Sequence, residues 1–434
     1  MPTYPTQLAE ITTALCSGRL ELDVYVDALC DRIEALEPDV QALLPEPERR
    51  ARLQREAGSL RQRYPAPAER PPLYGIPVGV KDIFRVDGFP TRAGSQLPSE
   101  LFMGPEAASV STLRAAGALI LGKTVSTEFA YFEPGPTRNP VNLDHTPGGS
   151  SSGSAAAVAA GFCPLAVGTQ TVGSVIRPAA YCGIVGYKPS YGRIPTSGVI
   201  PFSTSADHIG LFAQDVEGLD LAASLLCTGW ERLASHGTAL PVLGVPTGPY
   251  LAQASAEALA AFETQLARLA AAGYMIRHIP VFDDIAAITL RHQQLIFAEM
   301  AAVHADWFPR YQELYRPRTA GAIHDGQAVR PEEAAAGQAS QQLLRRQLEA
   351  QMAETGVDLW ITPAAIGPAP VGIERTGDPA MNLPWTHAGL PTLTLPAGFA
   401  ADGLPLGLQC SARFMADERL IAWAAPLAES LALV

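Results

Sequence analysis

The stretch Thr146-Pro-Gly-Gly-Ser-Ser-Ser-Gly-Ser-Ala-Ala-Ala-Val-Ala-Ala-Gly161 places flexible backbone and a cluster of hydroxyls directly ahead of an alanine-rich run. The run reads as a helix, and the serines and glycines before it as a loop capping its N-terminus. Local sequence leaves two uses open: a serine N-cap behind a glycine turn, or a loop that presents a hydroxyl for chemistry. Two other motifs overlap it. Gly148 and Gly153 have the glycine spacing of a phosphate-binding loop, but Ser154 stands where that loop requires lysine, which counts against nucleotide binding. Gly149-Ser-Ser151-Ser-Gly153 fits the G-x-S-x-G elbow of α/β-hydrolases, with Ser151 as nucleophile. That elbow follows a strand, whereas Asn142-Leu-Asp-His-Thr-Pro-Gly148 reads as a loop.

Downstream, Gly168-Thr-Gln-Thr-Val-Gly-Ser174-Val-Ile-Arg-Pro178 offers consecutive backbone N–H groups around a serine. An oxyanion hole can be built from such main chain, and a plain turn or strand end accounts for it as well. Upstream, Gly75-Ile-Pro-Val-Gly-Val-Lys81-Asp82 reads as a buried strand ending in a lysine. The Lys81 amine is either a salt-bridge partner of Asp82 or another carboxylate, or a base kept neutral by burial.

Further out, short β-like runs at Ile76–Val80, Ala118–Leu121, Leu165–Gly168, Leu243–Val245, Leu359–Thr362 and Thr392–Pro396 alternate with helical segments such as Pro105–Ala116, Ser154–Ala160 and Ala256–Ala272. The alternation predicts an α/β fold, a mixed central β-sheet covered by helices on both faces. Residues 7–16, 22–36 and 46–63 carry apolar positions at helical spacing and predict an N-terminal helical layer. The proline-rich connector 64–74 leads from it into the core, so residues 1–74 form a layer packed on a core of 75–434. Residues 285–352 are expected to be a mostly helical insertion, irregular around Pro317–Pro331, that helps wall the pocket.

The 434 residues carry a net charge of −12 with 47% hydrophobic residues, and no basic stripe suited to a nucleic-acid backbone is present. Residues 1–10 have neither the basic nor the apolar stretch of a secretion signal or anchor, so a cytoplasmic enzyme with no membrane association is expected. The six cysteines lack metal spacing and are expected to be buried free thiols, and no metal site is expected.

Lys81 in Gly-Val-Lys-Asp, Ser150 in Gly-Gly-Ser-Ser and Ser174, in this order and with 24 residues from Ser150 to Ser174, resemble the amidase signature family. Flanking text matches too, including Thr91-Arg-Ala-Gly-Ser95, Gly122-Lys-Thr, Thr137-Arg-Asn-Pro140, Lys188-Pro and Gly403-Leu-Pro-Leu-Gly-Leu-Gln409. The resemblance covers nearly the whole chain. It implies a cofactor-free Lys–Ser–Ser hydrolase in which Lys81 is the base, Ser150 the bridging serine beside a cis peptide, and Ser174 the nucleophile that forms an acyl-enzyme. It also implies an oxyanion hole from the backbone of Thr171, Val172, Gly173 and Ser174, and, by family habit, a homodimer.

The chain departs from the family where an aspartate, a glycine, an isoleucine and an arginine are usual: these places read Gln170, Val172, Val175 and Ile176, with the arginine displaced to Arg177. The triad is untouched, so the departures bear on substrate choice. Tyr131, Phe132, Gln170, Arg177, Phe202, Trp385 and His387 are the expected pocket residues, and the aromatic ones favour a small hydrophobic or aryl amide, with carbamates (urethanase activity) and esters as further substrates. The aromatics read equally as core, and His387 as a core or pocket histidine rather than a base. Three rivals are weighed: the transamidating subunit of a tRNA-dependent amidotransferase, against which Gln170, Val172 and the aromatic text count, an esterase using Ser151 with His387, and a non-catalytic binding or scaffolding protein, against which the three intact triad positions count.

Overall fold

A computed structural model describes residues 6–231, 233 and 239–432. The ends of the two expected regions, residues 1–5 and 433–434, lie outside the described residues.

Ten strands form one sheet: β1 Pro77–Lys81, β2 Leu119–Thr124, β3 Leu165–Gln170, β4 Val185–Lys188, β5 His208–Ala213, β6 Leu243–Thr247, β7 Ile276–Pro280, β8 Leu359–Pro363, β9 Thr392–Phe399 and β10 Pro405–Ser411. Their order is β2-β1-β3-β5-β4-β9-β10-β8-β6-β7. The sheet is mixed, as expected: β2, β1 and β3 run parallel, β3 through β8 pair antiparallel, and β8, β6 and β7 are parallel again. Successive side chains on a strand point to opposite faces, so strands buried at every residue, as β1, β2, β3, β5, β8 and β10 are, must be covered on both sides by the flanking helices. At the β7 edge Arg277, His278 and Pro280 face solvent, and their charge and proline discourage further strand pairing.

Apolar runs in the sequence anticipate six of these strands and miss β4, β5, β7 and β10. β4 is only four residues long, and β7 sets Arg277 and His278 between two isoleucines, without a hydrophobic run. The N-terminal helices are Leu8–Ser17, Leu22–Val40 and Arg49–Arg63, the second running past the expected end. Arg52 ties this layer to β2 by donating to the carbonyls of Ile120 at 2.9 Å and Leu121 at 3.1 Å. One hydrophobic cluster runs from Leu8 and Leu29 through to Val78 and Val167.

The 285–352 segment contains helices Ile285–Val303, Phe308–Tyr311, Pro317–Ala328 and Pro331–Thr355. Its middle is helical, which corrects the expectation of an irregular 317–331. Pro317 and Pro331 each sit in the first turn of a helix, where the missing N–H costs nothing and the fixed φ is already helical. Gly326 is a packing residue: a Cβ there would lie 1.9 Å from the Phe297 carbonyl oxygen, so glycine lets its helix pack against the Ile285–Val303 helix. Among the described residues no helix is long and apolar enough to cross a membrane.

Candidate active site

Lys81 ends β1 between its parallel neighbours β2 and β3, and its side chain is fully buried. Its Nζ lies 2.7 Å from Ser150 Oγ and 2.8 Å from Thr169 Oγ1 on β3. The salt bridge to Asp82 considered from sequence is not formed. Adjacent side chains on a strand diverge, and Asp82 is taken by Lys123 on β2, whose Nζ sits 2.8 Å from Asp82 Oδ1. With no carboxylate in contact among the described residues, burial pulls the Lys81 ammonium down to about 7, against an opposing pull from the nearby Asp207 charge. An amine near that value is substantially neutral at slightly alkaline pH, and can keep an N–H on Thr169 Oγ1 while offering its lone pair to the Ser150 hydroxyl.

Ser150 stands in the loop before the helix Ser152–Ala159, on the far side of a cis peptide from Gly149. Arg177 Nη2 donates to the Gly149 carbonyl at 2.7 Å, and Thr127 N donates to the Ser150 carbonyl at 3.1 Å, so the main chain on both sides of the hydroxyl is fixed. The neighbouring Ser151 Oγ is fully buried and bonded to both the N–H and the carbonyl of Thr169, each at 3.2 Å. Those bonds pin the helix start to β3 and leave Ser151 no approach to a substrate.

Ser174 is half-buried and lines the same cavity as Ser150, with a volume of about 870 Å³. No direct hydrogen bond joins the two hydroxyls in this structure. Thr171, Val172 and Gly173 line the cavity beside Ser174. Their carbonyls are all engaged elsewhere: Thr171 O by His292 Nε2 at 3.1 Å, Val172 O by Thr386 Oγ1 at 2.6 Å, and Gly173 O by Arg177 N at 3.1 Å. The N–H groups of Val172, Gly173 and Ser174 have no acceptor among the described residues. A loop held by its carbonyls with unengaged N–H groups at a cavity can receive an oxyanion.

Gln170 is placed differently from the expectation. It is fully buried, outside the cavity wall, because its amide is consumed in holding the loop: Oε1 accepts from Val175 N at 2.8 Å and Ile176 N at 3.0 Å, and Nε2 donates to Thr386 Oγ1 at 2.9 Å. Trp385 also lies outside the wall, packed edge-on against Tyr250 and Phe282 in a second core, with its indole N–H on Tyr250 Oη at 2.8 Å. His387 is buried behind the wall, bonded to Ser340 and to His292. Tyr131, Phe132, Arg177 and Phe202 do line the cavity. The Tyr131 and Phe202 rings stack with centroids 5.7 Å apart, and Arg318, Arg375 and Asp378 stand at exposed positions around the same cavity.

Thr386 and four other contributors were not singled out from sequence. Thr169 and Lys123 lie on strands adjoining Lys81, and strand periodicity could have suggested Thr169. Asp207 accepts from Thr171 Oγ1 at 2.5 Å and from the N–H groups of Phe202 at 2.8 Å and Ser203 at 3.1 Å, while burial pushes its carboxyl up to about 6. His292, on the helix Ile285–Val303, had no local signal.

A family model described as Amidase matches residues 25–421. A component of the glutamyl-tRNA(Gln) amidotransferase of Roseiflexus castenholzii (strain DSM 13941 / HLO8), its A subunit, is 33% identical over 97% of this chain and 94% of its own. A crystal structure of an amidase superposes with a TM-score of 0.87 at 31% identity, covering 98% of this chain and 100% of that one. A chain of an inhibitor-bound vestigial protein complex, described as revealing the evolutionary origins of an s-triazine catabolic enzyme, superposes with a TM-score of 0.87 at 27% identity over 98% of this chain and 100% of its own.

Proposed function

The chain belongs to the amidase family, an amidase signature serine hydrolase acting on carbon–nitrogen bonds, and from that premise we propose that it cleaves a small amide through a Ser174 acyl-enzyme, with Ser150 as relay and Lys81 as base. The observation that carries this reading is the buried Lys81 amine, without a carboxylate contact among the described residues, 2.7 Å from Ser150 Oγ in a site whose cavity also contains Ser174. Neutral Lys81 takes the proton of Ser150, Ser150 takes that of Ser174, and Ser174 Oγ attacks the carbonyl carbon. The oxyanion meets the N–H groups of Val172, Gly173 and Ser174. As the C–N bond breaks, the proton returns through Ser150 to the leaving nitrogen, and water then releases the acid.

The stacked Tyr131 and Phe202 rings beside Phe132 suit a hydrophobic or aryl group on the substrate. A carbamate presents the same carbonyl and nitrogen, and an ester the same oxyanion with an easier leaving group, so both belong to the proposed range.

The second reading is the glutamine-hydrolysing subunit of an amidotransferase. The relatives favour it, and so do Arg318, Arg375 and Asp378 around the cavity, whose charges complement the carboxylate and ammonium of a free amino acid. Gln170 does not count against it, since its amide oxygen supplies the loop with acceptors much as an aspartate would. The test is amine or ammonia release by wild type, Ser174→Ala and Lys81→Ala from aryl amides, a dicarbamate and glutamine. Loss of aryl amide or carbamate turnover in both variants supports the first reading, turnover of glutamine alone supports the second, and full activity in Lys81→Ala overturns the proposed mechanism.

A further inference from the structure

We propose that Ser340, His387 and His292 form a proton-ordered chain that fixes the Thr171 carbonyl and so aims the N–H groups of the Val172–Ser174 turn at the cavity, making the two histidines positioning residues for the reaction. The inference rests on the oxyanion role assigned above to that turn.

The chain spans three helices and ends on the loop. Ser340 Oγ lies 2.7 Å from His387 Nε2, His387 Nδ1 lies 3.0 Å from His292 Nδ1, and His292 Nε2 lies 3.1 Å from the Thr171 carbonyl. The carbonyl can only accept, so His292 Nε2 carries the proton. Burial holds His292 down to about 4, so it is neutral near pH 7 and its Nδ1 is an acceptor. His387 Nδ1 must then donate to it, which leaves His387 Nε2 to accept from the Ser340 hydroxyl. Each of the six positions in these three bonds has one allowed role. The two rings pack edge to face at 5.1 Å, and both are buried.

The same short helix, Leu383–His387, also sends Thr386 Oγ1 to the next carbonyl, that of Val172. Two successive carbonyls are thus held from one side, Val172 directly and Thr171 through His292. Because peptide N–H and C=O point oppositely, holding these carbonyls orients the N–H groups that follow them. Ser340 and His292 both belong to the helical insertion, which is thereby coupled to the reaction centre without His387 lining the cavity.

The test uses a fluorophosphonate, whose phosphorus Ser174 Oγ attacks with loss of fluoride and whose phosphonyl oxygen occupies the oxyanion position. Wild type, His387→Phe, His387→Asn and Ser340→Ala are compared for the rate of Ser174 labelling, located by peptide mass, and for KM and kcat on an amide turned over by wild type. His387→Phe keeps a ring but removes the donor to His292, and is expected to slow labelling and kcat by roughly tenfold to a hundredfold with KM unchanged. His387→Asn, whose amide both donates and accepts, is expected to recover much of the rate. Ser340→Ala, the smaller change if His387→Phe does not fold, is expected to slow labelling several-fold. Wild-type rates in the folded variants overturn the inference, as does a loss that appears in KM rather than kcat. Absence of label at Ser174 in wild type overturns the reading of the site itself, and the inference with it.

Discussion

Lys123, and not the adjacent Lys81, neutralises Asp82: its Nζ lies 2.8 Å from the carboxylate with both side chains almost wholly buried. Lys123 also donates to the Phe84 carbonyl at 2.8 Å and Thr91 Oγ1 at 3.1 Å, and Asp82 accepts from Arg92 N. The pair therefore satisfies a carboxylate that would otherwise have Lys81 as its nearest cation in sequence. Lys123→Met strands Asp82 in the core and is expected to destabilise the fold by about 3–5 kcal/mol, whereas Lys123→Met with Asp82→Asn removes both charges and is expected to cost clearly less. Urea unfolding of the single and double variants checks this. Equal losses would mean that the pair does not act as a unit.

Burial of Lys81 without a direct carboxylate contact among the described residues sets a pH dependence. Lysine is the base only when neutral, its buried ammonium is held at about 7, and activity is therefore expected to be lost as pH falls through that value. In kcat/KM this is an acid limb with a plateau above it. Asp207 is the charge that opposes the lowering, so Asp207→Asn is expected to move the midpoint of that limb to lower pH. Any change in plateau height through Thr171, which donates to Asp207, is a separate effect. A midpoint that stays put or rises would show that the limb does not report Lys81.

Gln170 and Thr386 support one loop together. Gln170 Nε2 donates to Thr386 Oγ1, which leaves the threonine proton for the Val172 carbonyl. Gln170→Glu keeps an acceptor for Val175 and Ile176 N–H but turns Thr386 toward the new carboxylate, withdrawing its proton from Val172. Both Gln170→Glu and Thr386→Val are expected to lower kcat by about tenfold with little change in KM, and the double variant to lose little more than either alone. Additive losses measured in the same assay would argue that the two residues act separately.

What the sequence disclosed and what it withheld follow from range. Lys81, Ser150 and Ser174 each sit in a local motif, the end of an apolar run or a glycine-flanked serine, that leaves a structural use open beside the chemical one, and it is their common order and separation that single them out. Thr386 and His292 reach the Ser174 loop from far along the chain with one polar side chain apiece, and no spacing announces that. The aromatic text at Leu383–Gly389 reads as pocket because Trp385 and His387 are the residue types that line pockets. In the fold that helix turns Trp385 into a second core and His387 onto His292, so residue type without orientation misplaces both. Prolines at 317 and 331 mislead in the same way, since a proline that starts a helix and one that prevents it look alike until the boundary is known.

The aromatic wall offers the sharpest separation of the two readings of substrate. Tyr131 stacks on Phe202 at an interplanar angle of 11° and meets Phe132 and Phe297 edge-on, with centroids 5.1 Å and 5.7 Å away, so removing Phe202 leaves one face of the Tyr131 ring without its partner. A substrate whose aryl group packs there loses that contact in the transition state as well as on binding. Phe202→Ala is therefore expected to lower kcat/KM for an aryl amide by about 1–3 kcal/mol, or roughly tenfold to a hundredfold, and to leave a small aliphatic amide nearly unaffected. Glutamine has no aryl group, so in the amidotransferase reading the same variant should hydrolyse glutamine at close to the wild-type rate. Measuring kcat/KM for all three substrates on both proteins decides between them. A uniform fall across the three would place the effect of Phe202 on the fold of the site, through Asp207 and the loop it supports, and would remove the aromatic wall as an argument for aryl specificity.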